Sequence, residues 1–190
     1  MNEMNPINIG TLTAQKIITG VSGGDRALQA ISPVLDEHEL GRPVVLDTSH
    51  VDVFGGSALR HLLRGIRNVP QSSKSIVILA NLSVDNLSEA ELVAEATRMP
   101  FISATLVDGN LSGAYLHGPL DDKVARTLSL VIQLGEADAQ AISKASNESA
   151  VATVWNNRLV VLQSMGILRE RKVGKRKFYS PVIGGLKYGS

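Results

Sequence analysis

The chain has 190 residues, of which 44% are hydrophobic and 19% charged, an ordinary globular composition with room for one large domain or two small ones. It contains no cysteine, which excludes disulfides, thiolate metal sites and cysteine nucleophiles. The net charge of +1 conceals an asymmetry: residues 1–120 hold 8 Lys/Arg and 12 Asp/Glu (−4), whereas residues 121–190 hold 11 and 6 (+5). The basic part is the one suited to a polyanion.

Met1-Asn2-Glu3-Met4-Asn5 has no basic segment leading into an apolar stretch, so no secretory signal is expected. The longest apolar runs, such as Ile76 to Ala80, fall far short of the about 20 residues needed to span a bilayer. The expectation is a cytoplasmic protein without membrane contact.

In chain order, Ile7, Ile9 and Lys16 to Val21 read as edge strands. Asp25 to His38 reads as a helix with Leu28, Ile31 and Leu35 on one stripe, although Pro33 argues for a break or a late start. Val44-Val45-Leu46 after a Gly-Arg-Pro turn, Ile76 to Ala80, and Ile102 to Val107 closed by Gly109 read as buried strands. Between them, Ser57 to Arg67 carries Leu59, Leu62, Leu63 and Ile66 at helical spacing. Ser88 to Met99 opens on a Ser88/Glu91 capping-box spacing and stops at Pro100. Strands alternating with helices predict an α/β layer fold.

His117-Gly118-Pro119 reads as a linker. Beyond it, Val124 to Gly135, Ala137 to Ser146 and Ser149 to Met165 read as three helices. The third places Val151, Trp155, Leu159 and Leu162 inward and has Gly166 as its stop signal. Leu168 to Val173 and Lys175 to Ser180 read as a hairpin joined at Gly174, with Trp155, Phe178 and Tyr179 expected in the core.

The run Asn157 to Leu168, with Leu159, Leu162, Gly166 and two following aliphatics, resembles the end of the recognition helix of winged helix-turn-helix proteins. Arg169 to Tyr179 is similar to their wing. The resemblance covers residues 121–182 and implies double-stranded DNA as partner. Thr153, Asn156 and Asn157 would then read bases, since Asn can pair with adenine and Thr can touch a thymine methyl. Arg169, Arg171, Lys172, Lys175, Arg176 and Lys177 would grip phosphates.

Val44 to Leu59, with Asp47 ending an apolar strand and a glycine turn opening a helix, resembles STAS-like domains, as do Asp25-Arg26 and Ile78 to Asn81. This resemblance covers residues 15–110 and implies reception of a signal or binding of a protein partner. Ser57 falls where anti-sigma factor antagonists carry a phosphorylated serine, with Gly55, Gly56 and Ala58 in place of the flanking Asp, Ser and Gly. The alternative role for Ser57 is that of a helix N-cap.

Gly20 to Asp25 lacks the Gly-Lys-Ser/Thr ending of a phosphate loop. Asp47, His50 and Asp52 are weak as a metal set, His38, His50, His61 and His117 lack metal spacing, and no Ser-His-Asp order is recognisable in sequence. No catalytic residue, metal or cofactor is expected.

The expectation is therefore an α/β STAS-like domain (residues 1–117), a small α+β winged helix-turn-helix domain (residues 121–183) and a tail (residues 184–190). The reading is a DNA-binding transcriptional regulator. The alternative is a protein-interaction adaptor similar to anti-sigma factor antagonists. A homodimer fits the first, because paired half-sites raise affinity.

Overall fold

The computed structural model describes residues 5–189. Met1 to Met4, where most of the expectation about a leader rests, and Ser190 of the expected tail lie outside them. The chain divides between Pro119 and Leu120 into two compact units. The described residues form seven helices and a mainly parallel central sheet, a mixed α/β architecture. None of those helices is long and apolar enough to cross a membrane.

The first unit runs β1 (Ile7–Asn8), α1 (Ile9–Thr13), β2 (Ile17–Ile18), α2 (Gly20–Asp36), β3 (Val44–Asp47), β4 (Val53–Phe54) and α3 (Gly56–Asn68). It continues with β5 (Val77–Ala80), α4 (Val84–Thr97), β6 (Phe101–Val107) and β7 (Asn110–His117). The sheet order is β1-β3-β5-β6-β7, parallel except for β7, while β2 and β4 form a separate parallel pair. In register, Val45 faces Ile78 and Ile78 faces Ile102. The near-continuous apolar strands are those of a sheet buried on both faces.

The helices bury Ala27, Ile31 and Leu35 of α2 and Leu59, Leu62 and Ile66 of α3. The two approach closely at Gly24, where a Cβ would lie 2.8 Å from the Ala58 carbonyl oxygen. Buried Asn86 of α4 pins the β4 loop: its Oδ1 accepts from Phe54 N at 2.8 Å and its Nδ2 donates to the Val51 carbonyl at 3.2 Å.

Four expectations are corrected. The strand ends at Ile18 and α2 begins at Gly20, taking in Pro33. Pro33 stands in the last turn, where it removes one hydrogen bond, that to the Gln29 carbonyl, and the helix ends three residues later. Ile9 belongs to α1, not to an edge strand. Helix α4 begins at Val84, because Ser83 Oγ accepts from Asn86 N at 3.2 Å, and Ser88 sits inside the helix with its hydroxyl on the Val84 carbonyl. Asp108 and Gly109, both at positive φ (48° and 76°), fold the chain back into β7 rather than merely ending a strand.

The second unit runs α5 (Asp122–Leu134), α6 (Ala139–Ala145), α7 (Ala152–Ser164), β8 (Leu168–Val173) and β9 (Arg176–Pro181). Gly135 (φ 74°) closes α5 and Gly174 (φ 59°) turns the hairpin. Ala137 adds a bridge to Tyr179 through two backbone hydrogen bonds of 2.9 and 2.8 Å. Leu128, Ile142, Trp155, Leu159, Leu162, Ile167, Leu168 and Tyr179 form the core, whereas Phe178 is only half-buried. Helix α7 starts at Ala152. Val151, expected inward, is its N-cap in extended backbone and is 68% exposed. In the expected tail Leu186 is buried, whereas Gly184, Gly185, Lys187 and Gly189 are exposed.

Candidate nucleic-acid interface

On α7, Thr153 and Asn157 are exposed and Asn156 is half-buried. A groove of about 310 Å³ brings Asn156 together with Lys175, Arg176 and Lys177 of the hairpin, alongside Asp138, Ala139 and Gln140 at the start of α6. Thr153, Asn157, Arg169, Arg171 and Lys172 are not part of that groove.

The hairpin cations are engaged within the unit. Arg171 binds Glu136 through Nη2–Oε2 at 2.6 Å and Nε–Oε1 at 3.0 Å. Arg176 binds one oxygen of Asp138 through Nε, at 3.0 Å, and through Nη2. Both guanidinium groups also stand over the Phe178 ring, at 5.4 and 5.1 Å. Lys177 Nζ meets Glu170 at 2.9 Å, Lys172 lies 3.8 Å from the same carboxylate, and Arg169 donates to the Val182 carbonyl. Among the described residues, Lys175 has no ion-pair partner.

These pairs set the protonation of the acids. The hydrogen bond from Arg171 holds Glu136 below the usual carboxylate range. Burial pushes Asp138 up, but the Ala141 amide and the Arg176 guanidinium outweigh it, and its carboxyl ends lower than usual. Lys177 lowers Glu170 by a hydrogen bond, while burial and that same carboxylate push the Tyr179 hydroxyl up to about 12. Side-chain exposures are 59% and 38% for Arg171 and Glu136, 60% and 9% for Arg176 and Asp138, and 44% and 19% for Lys177 and Glu170, so only the Arg171–Glu136 pair is exposed on both sides and of the weak, exchangeable kind.

Two features of α7 bear on what it can face. Arg158, its single arginine, is buried and bound to Glu148 by two hydrogen bonds, so it holds the unit together rather than facing a ligand. Val154, Val160 and Val161 are 37%, 39% and 38% exposed. The interlocking carboxylates of Glu136, Asp138 and Glu148 were not singled out by sequence. Only Asp138, as an acidic residue just before a helix, carried a readable signal.

In the first unit, Ser57 is exposed as the second residue of α3, and Gly55 rather than Ser57 is the N-cap. Glu89 Oε2 already accepts from the Gly56 amide at 3.1 Å, so a phosphate on Ser57 would meet a helix start that holds a carboxylate. At the carboxyl end of β3, Asp47 accepts hydrogen bonds from Asn8 (2.8 Å), Asn81 (3.0 Å) and the Ser49 amide (3.0 Å). These offset the effect of burial and hold its carboxyl below the usual range. His50 shares Asn8 at 2.9 Å, and Asp52 lies exposed in the following turn. No known family model matches the chain, and no curated protein is detectably similar to it.

Proposed function

We propose that the second unit binds double-stranded DNA as a winged helix-turn-helix and that the chain is a transcriptional regulator. The observation that carries this reading is the groove in which Asn156 of α7 meets Lys175, Arg176 and Lys177 of the hairpin. A base-edge donor–acceptor beside a basic hairpin is the pairing such recognition needs, the helix reading the major groove and the hairpin neutralising phosphates. Three helices, an added bridge at Ala137 and a terminal hairpin agree with that arrangement, and residues 121–190 carry 11 basic against 6 acidic side chains. The first unit, with its mainly parallel sheet, serves in this reading as a STAS-like module for a signal or partner.

The test is fluorescence polarisation with a mixed-sequence duplex across a salt series. The wild type is expected to bind with a steep negative salt slope. A variant with Lys175→Ala, Arg176→Ala and Lys177→Ala should lose affinity and about three units of slope. Absence of wild-type binding at low salt would end the DNA reading.

One observation favours a second reading. Val154, Val160 and Val161 expose apolar surface on α7, as a helix that packs on a protein partner would. Val160→Ser and Val161→Ser would weaken such packing without adding charge, leaving the salt slope of DNA binding unchanged.

A further inference from the structure

Ser103, His117 and Glu91 lie twelve or more positions apart in the chain and are brought into one hydrogen-bonded line. Ser103 Oγ is 2.7 Å from His117 Nε2, and His117 Nδ1 is 2.9 Å from Glu91 Oε1. The ring stacks on buried Phe101 with centroids 4.8 Å apart and planes 13° apart. Tyr115, opposite Ser103 in register, stands against it at 4.9 Å. Two hydrogen bonds and two aromatic contacts therefore fix the imidazole in place.

The direction of each hydrogen bond follows from its partners. A carboxylate only accepts, so Nδ1 carries a proton toward Glu91, and in the neutral ring Nε2 presents its lone pair. Ser103 must donate to it. Ser32, Ser72, Ser88, Ser129 and Ser164 instead give their hydroxyl protons to backbone carbonyls. Ser75 approaches His38 Nε2 at 3.3 Å, but that nitrogen also faces the Arg42 carbonyl at 3.0 Å and so must itself be the donor. Burial lowers the basicity of His117 more than Glu91 restores it, which keeps the ring neutral and able to accept a proton at neutral pH.

We propose that Ser103 is an activated nucleophile that takes a short acyl group from an activated ester, with His117 as base and Glu91 as the positioning residue. Ser103 is partly exposed on β6, next to the edge strand β7. In the step, Oγ bonds to the acyl carbon while its proton passes to His117 Nε2. The bond from that carbon to the leaving oxygen breaks, and the leaving oxygen collects the proton. Water then attacks the Ser103 ester, His117 takes one proton from it and returns it to Oγ, and the acid departs.

The experiment uses the full chain and p-nitrophenyl acetate, reading nitrophenolate release and locating the acetyl adduct by peptide mass spectrometry. The adduct is expected on Ser103. Ser103→Ala should remove it and slow release about 10²-fold. Glu91→Gln, at an exposed position, should slow acylation at least about tenfold with unchanged circular dichroism. Glu91→Asp should recover part of the rate. Equal release by wild type and Ser103→Ala, an adduct only on other residues, or acylation indifferent to Glu91→Gln would overturn the proposal.

Discussion

Arg158 of α7 holds Glu148 through two parallel hydrogen bonds, Nη1–Oε2 at 2.9 Å and Nη2–Oε1 at 2.7 Å. The guanidinium also lies 4.6 Å over the ring of Trp155, which is fully buried. The turn before α7 is thus tied to the helix that the DNA reading places in the groove. Because Arg158 is buried, removing its partner strands a charge. Glu148→Ala should lower the melting temperature of the second unit by several degrees. The double variant Glu148→Ala/Arg158→Met should recover part of the loss, and a thermal double-mutant cycle checks both.

Asp138 divides its oxygens between two tasks, accepting from the Ala141 amide through Oδ1 at 2.8 Å and from Arg176 through Oδ2. Its folded-state pKa is depressed, so the stability it contributes is fully present above the ordinary aspartate value of about 3.9 and is lost as pH falls through the folded value. Asp138→Asn keeps a cap for α6 but no charge for Arg176. Melting curves from about pH 7 to about pH 3 should show a flatter pH dependence for this variant than for the wild type. Equal slopes would assign the acid sensitivity to other carboxylates.

Lys175, at the hairpin tip without an ion-pair partner among the described residues, is the cleanest probe of phosphate contact. Lys175→Glu should weaken DNA binding uniformly across sequences and lower the salt slope by about one unit or more, with the melting temperature unchanged. A stability loss of the same size as the affinity loss would point to an indirect effect.

Asn86 satisfies Phe54 N and the Val51 carbonyl from within the core of the first unit. Asn86→Ala leaves both groups without that partner and should cost about 1–3 kcal/mol. Urea denaturation followed by circular dichroism measures it.

Much of this was legible where one residue type has one physical use. Gly135 and Gly174 mark the end of α5 and the hairpin turn, and both take the positive φ that glycine tolerates. The apolar runs at Val44 and Val77 became central strands because such runs can only be buried. Asp108-Gly109 was read only as the end of a strand, because β7 beyond it is half-exposed and interrupted by Gly113, so its own pattern is faint. The start of α4 was placed too late because Ser88 and Glu91 have a capping-box spacing, and only the fold shows that the Ser83 hydroxyl is the one that meets a free amide. The hairpin cations were visible one by one, whereas their pairing with Glu136, Asp138 and Glu170 depends on strand register and helix placement. The line from Ser103 to Glu91 was hidden for the same reason.

The central sheet ends at β1 on one side and β7 on the other. β1 offers two residues, and beside β7 the register slips between Ser103 and Thr105, bending the ribbon. A straight, open ladder is what lets one molecule template the next. Among the described residues neither border of this sheet supplies one, which disfavours the stacking of copies along its two edges.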